Sequence, residues 1–93
     1  MAIPSYQLKI ITPQGVVYTG SVTHSRVPVE NGSVGVLANH APYITASSGG
    51  LIEVREAGGE EKTFEVGTGF FEVRHNDATF LTQSFNTEPL PAK

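Results

Sequence analysis

Gly50-Leu51-Ile52-Glu53-Val54-Arg55-Glu56-Ala57-Gly58-Gly59-Glu60-Glu61-Lys62-Thr63-Phe64-Glu65-Val66-Gly67 is the stretch that decides the fold class. Ile52 and Val54 alternate with Glu53 and Arg55, and Phe64 and Val66 alternate with Thr63 and Glu65. Successive side chains of a strand point to opposite faces, so each run offers one apolar and one polar face. The Gly58-Gly59 pair between the runs is a turn signal. The same pattern extends outward: Tyr6, Leu8 and Ile10 alternate with Gln7 and Lys9, and Phe71 and Val73 with Glu72 and Arg74. Pro13-Gln14-Gly15, Asn31-Gly32, Gly49-Gly50 and His75-Asn76-Asp77 punctuate the runs. Between Gly15 and Gly69 no stretch free of Gly and Pro exceeds seven residues, short for a helix of about 10–12 and ample for strands of about 4–8. The class is all-β, with strands spaced as in an antiparallel sandwich or barrel.

Only Phe70 to Glu88 lacks breakers for long enough to hold a helix, but its first half alternates like a strand. Thr79, Phe80, Leu81 and Thr82 favour extended structure, so two strands with a turn at His75–Asp77 are expected. Asn31-Gly32 suits a type I′ hairpin, whose two central residues need positive φ. Residues 1–85 read as one β-sandwich domain and residues 86–93 as a flexible C-terminal tail.

The chain has 93 residues, a net charge of −3 and six Lys and Arg together. Nucleic-acid binders need clustered cations, so no nucleic-acid partner is expected. Cysteine is absent, which removes disulfides, thiolate chemistry and Cys-type zinc sites. The N-terminus carries no basic and apolar signal segment, and no apolar run approaches the ~18 residues that span a bilayer. A soluble, intracellular protein without bilayer insertion is the expectation.

Chemistry finds little foothold. His24, His40 and His75 are scattered, and Asp77 is the only Asp. No histidine pair has the spacing of a metal site, so no catalytic, metal or cofactor residue is assigned. The plain reading is a surface His24, a turn His75 and a packed or interfacial His40. Gly67-Thr68-Gly69 lacks the Lys and following helix of a phosphate loop, and is read as a bend where two sheets meet. The unusual segment is Gly32-Ser33-Val34-Gly35-Val36-Leu37-Ala38-Asn39-His40-Ala41-Pro42-Tyr43. It reads either as strand, loop and strand with His40 bonded to a backbone carbonyl, or as a rigid loop presenting Asn39 and His40 to a partner.

In that segment the sequence closely resembles the epsilon subunit family of the rotary ATP synthases of bacteria and chloroplasts. The resemblance starts at Leu8-Lys9-Ile10-Ile11-Thr12-Pro13-Gln14-Gly15-Val16-Val17-Tyr18 and continues through Arg26-Val27-Pro28, Gly32–Leu37 and Asn39-His40-Ala41-Pro42. Gly50–Val54, Gly69–Val73 and Ala78-Thr79-Phe80-Leu81 follow in order, so it covers about residues 6–85. Ala38, where the family usually has Pro or Gly, and Gly67-Thr68-Gly69, where it has Ser-Gly-Gly, are loop departures.

The resemblance implies an antiparallel β-sandwich of about ten strands, a monomer when isolated. It implies a non-catalytic central-stalk subunit that links the gamma subunit to the membrane rotor ring of c subunits and so couples ion flow to ATP synthesis. Residues matching the family's gamma contacts are Thr12 and His40, and those matching its ring contacts are Glu30, Asn31, Gly32 and Ser33. The implied location is the cytoplasmic face of the bacterial inner membrane, as a peripheral subunit, or the stromal face of the thylakoid. Typical members continue into a two-helix C-terminal domain that regulates the enzyme and in some binds ATP. Nothing in these residues matches that domain, so neither property is expected. A carbohydrate- or small-ligand-binding sandwich is the alternative class, disfavoured by the absence of Trp and the presence of only three Tyr.

Overall fold

A computed structural model describes residues 4–86. Nine strands are formed: β1 (Tyr6–Thr12), β2 (Gly15–Val29), β3 (Gly32–Leu37), β4 (Tyr43–Ser47), β5 (Gly50–Glu56), β6 (Glu61–Val66), β7 (Gly69–Arg74), β8 (Asp77–Thr82) and β9 (Phe85–Asn86). Alternation dictates the packing. In β1 Tyr6, Leu8 and Ile10 are buried while Gln7 and Lys9 are exposed, and β5 to β8 repeat the pattern. The buried residues of β1, β2, β3, β5, β6, β7 and β8 form one cluster around Leu8, Ile10, Phe71 and Phe80. A set of strands each apolar on one face is stable only when those faces are closed on each other.

The strand order is β4-β7-β8-β1-β2-β5-β6-β9, with β3 also on β2. The 15-residue β2 explains it. Its first half pairs with β1 up to Val22, and its second half takes β3 on one edge and β5 on the other. A register shift between Val22 and His24 leaves Thr23 as the extra residue, a bulge that turns the strand from one sheet into the next. The first sheet is therefore β4-β7-β8-β1-β2 and the second β3-β2-β5-β6-β9. Sharing β2 corrects the expected count: nine strands occupy ten sheet positions among the described residues. The expected antiparallel pairing needs a second correction, since β1 lies parallel to β8 from Gln7↔Asp77 to Ile11↔Leu81. A first and a late strand have no tight turn between them to enforce opposite directions.

Besides the Ala38–Pro42 loop from β3 to β4, the chain passes between sheets at three places: β4 to β5 at Ser48-Gly49, β6 to β7 at Gly67-Thr68, and β8 to β9 at Gln83-Ser84. These crossings lie against one another, with Gly67 N donating to Ser84 O at 3.1 Å and Gln83 N to Thr68 O at 3.1 Å. Gly67-Thr68-Gly69 is thus the expected bend between sheets. Gly69 is required by proximity, because a Cβ there would sit 1.7 Å from the Leu81 carbonyl oxygen. Thr82 Oγ1 lies 3.1, 3.3 and 3.0 Å from the carbonyls of Gly67, Thr68 and Ser84, and accepts from Ser84 N at 3.3 Å. Its one proton serves three acceptors in turn and ties two crossings together.

Residue pairing now reaches Asn86, opposite Glu65. The tail expected from residue 86 lies, from residue 87 onward, outside the described residues.

Candidate functional site

Alternation leaves a second set of residues pointing away from the core, and register decides which of them meet. In the first sheet Ala46 lies opposite Phe70, Phe70 opposite Leu81, Leu81 opposite Ile11, and Ile11 opposite Val16. All five belong to the outer face, and Phe70, Leu81 and Val16 are 57%, 48% and 56% exposed. One apolar row therefore crosses five strands on the solvent side, with Ile44 exposed beside it on β4. Cross-strand neighbours stand about 4.5–5.5 Å apart, so the row is continuous.

Thr12 ends β1 at one end of this row. It shares a groove with Ile11, Pro13, Phe70, Leu81 and Gln83. Its own side chain is almost wholly buried. Its hydroxyl accepts from Gln14 N at 3.2 Å and lies 3.5 Å from Gly15 O, so it shapes the turn into β2.

His40 sits at the other end of β1, some six residues or roughly 20 Å of strand away. β1 begins beside the His75-Asn76 turn, where Gln7 N donates to Asn76 O at 3.0 Å. The loop Ala38–Pro42, between β3 and β4, packs on that turn, and Asn39, His40, His75 and Asn76 line one depression. His40 is half-buried, with Nδ1 2.7 Å from Ala41 O and its ring edge-on to Tyr43 at 6.1 Å between centroids. The expected bond to a backbone carbonyl is present, and so is the strand–loop–strand layout.

The positive-φ turn is at His75 and Asn76, with φ of 52° and 61°, joining Arg74 to Asp77. Both central residues thus meet the type I′ requirement. The expectation for Asn31-Gly32 is corrected here. The corners of that hairpin are Glu30 and Asn31, between Val29 and Gly32, and only Gly32 has positive φ, at 141°. Glu30, Asn31, Gly32 and Ser33 are all exposed at its tip. His24 is half-buried in mid-β2 between Leu37 and Arg55 rather than on the surface. Among the described residues no cluster of three or more His, Asp or Glu could hold a metal.

Electrostatics mark a third place, where the two sheets close over the core. Tyr18 donates to Glu56 at 2.7 Å, and Lys62 lies 3.2 Å from the same carboxylate oxygen. Burial, reinforced by the Glu56 carboxylate, pushes the Tyr18 hydroxyl well above its ordinary range. The Tyr18 hydrogen bond, aided by Lys62, holds the Glu56 carboxyl below the usual carboxylate value. The Tyr18 ring also packs at a tilt against Phe64, 4.7 Å between centroids, and Phe64 against Phe85 at 5.3 Å. The group is a polar cap on the apolar interior.

Sequence reasoning found the loops but missed the outer row and Asn76. Phe70 beside inward Phe71 was a usable signal, because adjacent strand residues face opposite ways. No signal in the sequence announced that Leu81 and Ile11 are neighbours, since their strands pair in parallel across most of the chain.

A family model described as "ATP synthase, Delta/Epsilon chain, beta-sandwich domain" matches residues 5–88. The chain belongs to this family. The "ATP synthase epsilon chain" of Pelotomaculum thermopropionicum is 38% identical over 86 residues, covering 90% of this chain and 62% of its own length. That of Chlorobaculum tepidum is 35% identical over 79 residues, covering 85% of this chain and 90% of its own. The chain thus spans about three fifths of the first relative and nearly all of the second. A structure of the Euglena gracilis mitochondrial ATP synthase with F1 and c-ring contains a chain matching at a TM-score of 0.80 and 22% identity, over 91% of this chain and 55% of that one. The central stalk and c-ring of the Tetrahymena thermophila mitochondrial enzyme contains another, at 0.73 and 12%, over 91% and 68%. At those identities the two structures establish the β-sandwich fold. The chain thus carries the β-sandwich domain of the ATP synthase delta/epsilon family, and the relatives it matches are named epsilon chains.

Proposed function

We propose that this epsilon-type sandwich is a non-catalytic coupling part of the central stalk, binding the gamma subunit through its first sheet and the rotor ring through the β2–β3 hairpin. The observation that carries it is the in-register row Ala46-Phe70-Leu81-Ile11-Val16. Exposed apolar side chains aligned across five strands do nothing for a lone domain, and a partner surface would bury them. Thr12 borders one end of the row, and the His40 loop leads into β4 at the other side of the sheet. The two residues matching the family's gamma contacts therefore frame it. Glu30, Asn31, Gly32 and Ser33 form an exposed hairpin tip, and loops held by a rigid scaffold are where binding residues concentrate. The complex would sit at the cytoplasmic face of a bacterial inner membrane or the stromal face of a thylakoid.

Calorimetric titration with the gamma subunit of the same synthase tests the first contact. Phe70→Asp removes an exposed aromatic and adds a charge that the interface would have to desolvate, so affinity should fall at least about tenfold. The melting temperature should barely move, since Phe70 packs no core. Unchanged gamma affinity in this variant would discard the outer row as the contact.

A further inference from the structure

Asn39 and Asn76 are two of the three non-glycine residues with positive φ among the described residues, and they are bonded to each other. The Asn39 backbone N–H donates to Asn76 Oδ1, and Asn76 Nδ2 donates to Asn39 Oδ1 at 3.1 Å. The two residues are 37 apart in sequence, one in the loop before β4 and one in the tight turn between β7 and β8. The turn itself is anchored to β1 through the Asn76 carbonyl, which accepts from Gln7 N. The clasp therefore ties an exposed loop to the frame of the first sheet.

What the clasp orients is the next residue. A carbonyl oxygen can only accept, so the 2.7 Å contact between His40 Nδ1 and Ala41 O places a proton on Nδ1. In the neutral ring Nε2 is then an acceptor, and it has no hydrogen-bond partner among the described residues. The imidazole is held by its own bond and by the edge contact with Tyr43, and its backbone follows directly on the clasped Asn39.

Resting on the reading of His40 as a gamma contact, we infer that Asn76 is a positioning residue for that contact. Through the reciprocal clasp with Asn39 it preorganises the 38–42 loop so that His40 Nε2 meets a hydrogen-bond donor of the gamma subunit. Holding a loop in its bound shape before association removes an ordering cost that a free loop pays on binding. The clasp asks for two residues that tolerate positive φ and still carry an amide, a requirement Asn meets and Gly does not.

The experiment is a calorimetric titration of the full chain with the gamma subunit, alongside hydrogen exchange on the free chain. Glycine keeps the native φ at either position while deleting the side chain, so Asn76→Gly should fold normally. It loses both bonds and should bind about tenfold more weakly. Asn39→Gly loses only the Asn76 Nδ2 bond and should lose about threefold. The double variant should bind no more weakly than Asn76→Gly, because removing Asn76 already ends both bonds. Asn76→Asp keeps an acceptor for the Asn39 N–H, and a flipped Asn39 amide donates to its second oxygen, so it should bind within about twofold of wild type. The Asn39 amide should exchange at least about tenfold faster in Asn76→Gly, with the Ile52 amide unchanged. Additive losses in the double variant would mean that Asn39 and Asn76 act independently of each other, overturning the clasp. Wild-type affinity in Asn76→Gly, with His40→Ala weakened, would overturn the clasp and leave the gamma contact standing. Wild-type affinity in His40→Ala would overturn the reading beneath it.

Discussion

Across the outer face of the first sheet Phe70, Leu81 and Val16 stand in one row, whereas across the second Arg26 faces Glu53 at 3.8 Å and Arg55 is paired with Glu61. Both sheets obey the same inward rule, and both bury Phe and Val against a common core. The contrast lies in the residues that folding leaves free and is one of balance, since the second face also exposes Leu37 and Leu51 and the first carries Arg74 beside Glu72. Exposed ion pairs contribute about 0–1 kcal/mol each, so the charges of the second face chiefly keep it wet. An exposed Phe contributes as little to the fold, but it retains apolar area, worth about 25 cal/mol per Å² when a partner covers it. The difference teaches that stability and association draw on opposite faces of the same strands.

Adjacent residues on β7 offer the harshest trial of that idea. Phe71 is fully buried, 6.2 Å from Phe80 between ring centroids. Phe71→Ala should cost about 3–5 kcal/mol in chemical denaturation, whereas Phe70→Ala should stay within about 0.5. Similar losses from both would mean that the outer row belongs to the core.

A somewhat smaller loss is expected from Gly69→Ala. Its new Cβ collides with the Leu81 carbonyl, so β7 and β8 must part locally, at about 1–3 kcal/mol. Thermal unfolding reads it, and because Gly69 adjoins Phe70, the outer row should be distorted too. A neutral Gly69→Ala would mean the strands yield more readily than the register implies.

For the two faces themselves, Thr63→Asp on the second sheet is the counterpart of Phe70→Asp on the first. It should leave gamma affinity within about twofold, since nothing apolar is displaced there. Glu30→Lys at the hairpin tip should likewise leave stability within about 0.5 kcal/mol, yet weaken assembly with the rotor ring at low salt, where screening is least. A rebuilt synthase carrying Glu30→Lys that couples normally at low salt would remove the hairpin from the ring contact.

The smallest effect concerns the polar cap. Because the folded Glu56 carboxyl is held below its ordinary value, its contribution is present above the unfolded carboxylate range and fades as pH falls through the depressed value. Tyr18 works in the other direction: its raised hydroxyl contributes below the ordinary tyrosine range and is lost as pH rises beyond it. Melting temperature should therefore sag at both extremes, and Glu56→Gln should flatten the acid side. An unchanged acid limb in that variant would assign the loss to other carboxylates.

How much of this was legible follows from what each signal depends on. Strand existence and inward residues need only neighbours two apart, so Leu8, Ile10, Ile52, Val54, Phe64 and Phe71 were readable from alternation, and Gly67-Thr68-Gly69 from its place between two runs. The His75–Asp77 turn was readable too, though its type I′ geometry had been expected at Asn31-Gly32. Turn type depends on which residues the strand register leaves at the corners, and register put Glu30 and Asn31 there.

The candidate site divides in the same way. Thr12, His40 and the Glu30–Ser33 tip were named from motifs that are continuous in the chain. Sequence by itself determined the all-β class, the core and the loops, because each rests on local periodicity and turn chemistry. Only the tertiary structure decided that β2 serves both sheets, that β1 runs parallel to β8, and that Phe70, Leu81, Ile11 and Val16 form one row. It alone joined Asn39 to Asn76. Those relations depend on which distant strands the closing of two apolar faces brings side by side, and no local pattern carries that information.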